Sequence, residues 1–232
     1  MYKLNEKQKA LITELNSIPP NFNEIKKLLN ENDYSSEDVT YVATAFAENC
    51  EFESYEYFKS ENAQVRSKYL YDIVKLLLEY GLNPNTVFEN DKNIMESLMF
   101  NDYEYVAADT LGLLLEYGGD VNLEFGGKRI FDMVDFAVVF DAVEQSERKK
   151  YDALVHFWFV MLGYGAKNAD GTIPVDLFKE YNNTMFTNDV FDISNLKNHR
   201  NYTFGLTFVH NRGEKWSLHI FDKKTMWEVA RL

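Results

Sequence analysis

The sequence predicts a mainly α-helical protein, an irregular stack of helical repeats that ends in a small three-stranded antiparallel β-meander. One helix ending occurs three times between Asp72 and Asn168, and the hydrophobic period changes from helical to two-residue near Phe204. With 232 residues, 46% of them apolar, and only 11 Gly and 4 Pro, the chain can bury a core and is too poor in breakers to be disordered or fibrous.

The elements follow in chain order. Leu11, Ile12 and Leu15 mark a first helix. Asn21-Phe-Asn-Glu24 has the form of a capping box, and Phe22, Ile25, Leu28 and Leu29 give the second helix its apolar stripe. Ser35-Ser-Glu-Asp38 opens a third, carried by Val39, Val42, Ala43 and Phe46. Residues 1–65 are therefore expected to form a helical cap with a degenerate repeat, because a repeat stack has to cover its terminal apolar face.

Residues 66–170 carry the repeats. Asp72-Ile-Val-Lys-Leu-Leu-Leu-Glu-Tyr-Gly81, Asp109-Thr-Leu-Gly-Leu-Leu-Leu-Glu-Tyr-Gly118 and the run from Asp152 to Gly165 each read as a helix that a left-handed glycine closes. Ile73, Leu76, Leu77 and Tyr80 form one stripe and Val74 with Leu78 a second, the pattern of a helix packed between neighbours. Asn93 to Phe100 and Arg129 to Phe136 are shorter apolar segments suited to partner helices. The charged run Glu144 to Lys150 reads as an exposed excursion.

The endings Leu76-Leu-Leu-Glu-Tyr-Gly-Leu-Asn-Pro-Asn85 and Leu113-Leu-Leu-Glu-Tyr-Gly-Gly-Asp-Val-Asn122 resemble the ankyrin-repeat family, whose second helix ends in Leu-Leu-Leu-x-x-Gly-x-x-x-Asn. The family's Thr-Pro-Leu-His opening is replaced by Asn93-Ile-Met-Glu96 and Arg129-Ile-Phe-Asp132. The resemblance implies recognition through inter-repeat turns and the exposed side of the first helices. Here those turns carry Glu89, Asn90, Asp91 and Lys92, then Glu124, Phe125 and Lys128. Phe125, an aromatic beside Gly126 and Gly127 with little core to enter, is the expected anchor.

Residues 171–232 are assigned to a connector and the meander, packed on the stack. The connector is expected to hold a short helix from Val175 to Tyr181. Phe204, Leu206 and Phe208 alternate with small or polar residues, as do Trp216, Leu218 and Ile220. A turn with Gly213 in the bulge position pairs 208 with 216, 206 with 218 and 204 with 220, which puts the large apolar residues on one face. Trp227 and Val229 are expected to continue that face in a third strand. The free edge of that strand could accept an extended peptide, or be protected by Lys223, Lys224 and Arg231.

Charge narrows the function. Met1–Leu196 holds 17 Lys and Arg against 34 Asp and Glu, while Lys197–Leu232 holds 7 against 3. An acidic body disfavours nucleic acid and anionic membranes and suits a basic protein partner. A single cysteine, Cys50, leaves no intramolecular disulfide, Met1–Ala10 lacks an apolar leader, and Ala153–Leu162 is about half a membrane span, so a cytoplasmic location is expected.

Catalytic signals are sparse. His156 sits in an apolar helix, Cys50 has no histidine beside it, and Asp132 with Asp135 reads as a solvated helix face. Gly126-Gly127-Lys128 lacks the spacing of a phosphate loop. The expectation is a non-catalytic protein-binding module with no metal and no cofactor. An immunity-type inhibitor of a basic toxin or nuclease is the narrower alternative. An enzyme using His199, His210 or His219 with Arg200, in a site between stack and meander, is the other.

Overall fold

Asparagine and serine start the first three helices by lending side-chain oxygens to amides that the first turn leaves without partners. Asn5 accepts from the Gln8 amide at 2.9 Å while Gln8 Oε1 accepts from the Asn5 amide at 3.0 Å, opening α1 (Glu6–Leu15). Asn21 Oδ1 accepts from the Glu24 amide at 3.2 Å ahead of α2 (Phe22–Glu31). Ser35 and Asp38 exchange the same pair of bonds, both 3.1 Å, to begin α3 (Ser36–Glu48). The Ser35 hydroxyl holds the Asp38 carboxyl below the usual carboxylate range. α1 packs on α2 and α3, and Leu11, Leu15, Ile25, Leu29, Val39, Val42 and Phe46 are buried.

The computed structural model describes residues 4–17, 19–48, 63–87, 93–99, 105–133, 148–177, 190–209 and 215–232. They fall into two compact units, Met1–Ala153 and Leu154–Leu232. After α3 the first unit continues through α4 (Ala63–Glu79), α5 (Ile94–Met99), α6 (Tyr105–Glu116) and α7 (Ile130–Met133). α3 neighbours α4 and α5, α4 neighbours α6, and α5 packs on α6.

The three glycine endings are the same structure. The Gly81 amide donates to Leu78 O at 3.1 Å and the Leu82 amide to Leu77 O at 2.9 Å. Gly118 and Gly119 repeat this with Leu115 and Leu114 at 3.1 and 3.0 Å, and Gly165 and Ala166 with Leu162 and Met161 at 3.0 Å. Each glycine has positive φ, +96°, +95° and +86°, the double-bonded helix stop that glycine adopts without strain.

The boundary between units lies inside α8 (Arg148–Gly163), so Arg148 to Lys150 start a helix where the sequence reading has an excursion. In the second unit the helix buries Trp158, Phe159 and their neighbours completely or nearly so. The Phe159 ring meets Tyr202 and Phe204 edge-on at 6.4 and 6.5 Å. A 3-10 segment, Ile193–Asn201, follows, its first turn capped by Asp192 accepting from the Ser194 amide at 2.9 Å. It runs so close to α8 that a Cβ on Gly163 would collide with the backbone of Leu196 and Lys197.

The sheet has four antiparallel strands where three are expected, in the order β1-β4-β3-β2, with β1 (Asp176–Leu177), β2 (Tyr202–Val209), β3 (Lys215–Asp222) and β4 (Glu228–Arg231). Phe208, Leu206 and Phe204 pair with Trp216, Leu218 and Ile220, the register read from the alternation. Gly213 lies outside the described residues. Two expectations are corrected. Asp176 and Leu177 are strand rather than helix, because they pair with Arg231 and Ala230 and so cover the outer edge of β4. Trp227 does not continue the apolar face: it is 44% exposed, and a bulge in the β3–β4 pairing leaves Ala230 opposite Ile220.

No helix among the described residues is long and apolar enough to cross a membrane.

Candidate functional site

Two places in the molecule gather polar side chains with defined geometry: the row of turns in the first unit and the outer face of the sheet in the second.

In the turn row, Asn83 and Asp120 each bend the chain after a glycine stop, accepting from the amides two residues on, Asn85 at 3.0 Å and Asn122 at 2.9 Å. Asn85 then reaches the next turn. Its amide donates to Gly118 O at 2.9 Å and its Oδ1 accepts from the Asp120 amide at 2.7 Å. Backwards along the row, the Asn83 amide donates to Thr40 Oγ1 at 3.0 Å and Tyr80 to Asn30 Oδ1 at 2.8 Å. Asn85 thus ties two successive turns, and the bonds to Thr40 and Asn30 tie the first of them and the end of α4 to α3 and α2.

Val87 bridges Asn93, and Phe125 bridges Lys128. Asn93 is fully buried. Its side-chain amide donates to Thr86 O at 3.0 Å while its Oδ1 accepts from the Met95 amide at 2.7 Å, closing the bridge and capping α5 together. At the corresponding place before α7, Arg129 forks onto Asp132 through Nε at 2.7 Å and Nη2 at 2.6 Å. Those hydrogen bonds hold the Asp132 carboxyl below its usual range. Asp132 is therefore paired rather than merely solvated, and Asp135 lies outside the described residues.

Of the expected contact residues, Glu124 and Lys128 are exposed in this row, and Glu89, Asn90, Asp91 and Lys92 lie outside the described residues. Phe125 is corrected: it is only 5% exposed and offers no anchor. Phe125 and Lys128 exchange both backbone bonds, at 2.8 and 2.9 Å, across Gly126 (φ +54°) and Gly127 (φ +72°). In such a two-residue turn the glycines are the tip, and the aromatic ring one step back is buried.

On the sheet, His219 is bonded through both ring nitrogens. Nδ1 lies 2.7 Å from Glu228 Oε1 and Nε2 lies 2.6 Å from Thr207 Oγ1. Arg231 brings Nε to 3.0 Å and Nη2 to 2.9 Å from the same Glu228 oxygen. In an unbulged strand Glu228 and Arg231, three residues apart, would face opposite sides. Phe221 pairs with Glu228 and His219 with Arg231, so Val229 is the extra residue that turns both to one face. Sequence alternation alone hides this cluster, because the bulge has no glycine to announce it.

The other expected histidines fall elsewhere. His199 is buried against His156, their Nδ1 atoms 2.9 Å apart, so one carries a proton and the other accepts it. His210 and Cys50 lie outside the described residues, and Arg200 is exposed, its carbonyl accepting from Lys223 Nζ at 2.7 Å. Among the described residues no three His, Cys, Asp or Glu side chains are grouped to hold a metal ion.

No protein-family model matches the chain, and no curated protein or solved structure matches it at a significant level.

Proposed function

We propose that the first unit is a protein-binding module of the ankyrin-like kind, which recognises a basic protein partner through its row of inter-repeat turns. The observation that carries this reading is the Asn85 link: one side chain fixes the spacing between two successive turns through Gly118 O and the Asp120 amide. Turns held at fixed separation present Glu124 and Lys128 in a preorganised array, so little ordering has to accompany binding. The packing of α3 with α5 and of α4 with α6, and the two matching stops at Gly81 and Gly118, support the same reading. Charge supplies the partner's chemistry. Met1–Ala153 carries 15 Lys and Arg against 29 Asp and Glu, a net of −14, whereas Leu154–Leu232 carries 9 against 8. A long-range acidic field raises the encounter rate with a basic protein and is screened by salt.

The test starts with affinity capture from the native host at low and moderate salt, with identification of what elutes. It is decided with the purified partner. Glu124→Lys and Asn85→Ala are expected to weaken binding by about tenfold each, roughly the effect of 1.4 kcal/mol. Unchanged affinity in both variants, or an association rate indifferent to salt, would overturn the reading.

A further inference from the structure

The sheet face of the second unit carries an arrangement that the binding reading does not use. Thr207 on β2, His219 on β3 and Glu228 on β4 form a continuous chain of two short hydrogen bonds. Their face is opposite the one on which Leu218 and Ile220 are fully buried. Thr207 is exposed, whereas the His219 and Glu228 side chains keep only 13% and 24% of their surface. The Phe221 ring lies nearly parallel to the imidazole, 19° apart in plane, and gives the face an apolar wall.

Proton positions follow from the contacts. A carboxylate 2.7 Å from Nδ1 only accepts, so in neutral imidazole Nδ1 carries the hydrogen and donates to Glu228 Oε1. Arg231 Nε, at 3.2 Å from that nitrogen, donates instead to the Glu228 oxygen at 3.0 Å. Nε2 is then left as the acceptor facing the Thr207 hydroxyl at 2.6 Å. A hydroxyl donating to an imidazole whose other nitrogen a carboxylate orients is the requirement for an activated oxygen nucleophile.

The geometry points to Thr207 as an acyl-acceptor site for small activated esters or thioesters, with His219 as its base and Glu228 as the positioning residue. Thr207 Oγ1 bonds to the acyl carbon, and its proton passes to His219 Nε2. The bond from the acyl carbon to the leaving oxygen or sulfur breaks, and His219 returns the proton to the leaving alcohol or thiol. The product is a threonine ester, with no change of oxidation state. The exposed Thr207 hydroxyl is the end of the chain that a small ester reaches. This inference is independent of the turn row, and either can fail alone.

The experiment uses the full chain with p-nitrophenyl acetate, following nitrophenol release and mapping acetylated peptides by mass spectrometry. The expected result is acetyl on Thr207, formed in step with nitrophenol release. His219→Gln is expected to slow it by about a hundredfold and Glu228→Gln by about tenfold or more. Thr207→Val, an isosteric change at an exposed position, should abolish that adduct with the circular dichroism spectrum unchanged. It keeps the test open even if His219→Gln does not fold. Acetyl found only on lysines, or a Thr207 rate equal in wild type and His219→Gln, would overturn the proposal.

Discussion

Along the turns of the first unit, Asn83, Asn85, Asn93 and Asp120 spend their side chains on main-chain groups, whereas on the sheet of the second, Thr207, His219, Glu228 and Arg231 bond to one another. The first arrangement shapes the chain, since each of these bonds fixes a main-chain group of a turn or of a helix start. The second joins side chain to side chain across three strands. A side chain bonded to main chain reports how the chain turns. A relay of side chains is to be tested for chemistry, and the two call for different experiments.

The contrast is sharpened first by removing bulk from the second unit. Phe159, wholly buried between His156, Tyr202 and Phe204, anchors α8 to the sheet. Phe159→Ala is expected to cost about 3–5 kcal/mol. Urea unfolding measures it, and hydrogen exchange should show the loss in α8 and β2.

Asn93→Ala comes next, at about 1–3 kcal/mol, because it strands the buried Met95 amide, while the Thr86 carbonyl keeps the Ile94 amide. Glu228→Gln, by contrast, is expected to leave stability within about 0.5 kcal/mol while altering the reactivity of Thr207. Equal losses for the two variants would break the distinction between main-chain satisfaction and side-chain relay.

The predicted gain at Tyr34 is smaller. Among the described residues its buried hydroxyl has no hydrogen-bond partner, and burial pushes its pKa up. Tyr34→Phe is expected to raise the melting temperature, with a gain of about 1 kcal/mol. The smallest effect belongs to Arg129 and Asp132. Asp132 has a folded pKa below its unfolded one, so the pair stabilises above the unfolded value and that contribution is lost as pH falls through the folded value. The carboxylate is 41% exposed, which limits the effect to about 0.5 kcal/mol. Asp132→Asn should therefore flatten the acid limb of the stability curve slightly and leave neutral stability lower by that amount.

The parts legible in the sequence are those written as local rules. The glycine stops are legible because Gly81, Gly118 and Gly165 each follow an apolar helical run, and the β2–β3 register because alternation leaves one pairing that unites the large side chains. Phe125 was misread because its neighbours Gly126 and Gly127 form the tip themselves and its ring turns inward. β1 escaped notice because two residues carry no period, and their pairing with Ala230 and Arg231 is a long-range event. The His219 cluster was invisible for a related reason: its members come from three strands, and the step that unites them is a change of phase rather than a residue type.

That change of phase has a consequence for how the site could be gained or lost. Val229 is buried, yet what the relay needs from it is the place it occupies in the count. Substituting it with another apolar residue keeps Glu228 and Arg231 side by side. Deleting it leaves Glu228 and Arg231 two positions apart, which two-residue alternation already puts on one face. The relay is thus encoded in the pairing at one point of β4: were Val229 set opposite Phe221 in regular register, the Glu228 carboxylate would move to the side of the sheet where Ile220 and Ala230 are buried.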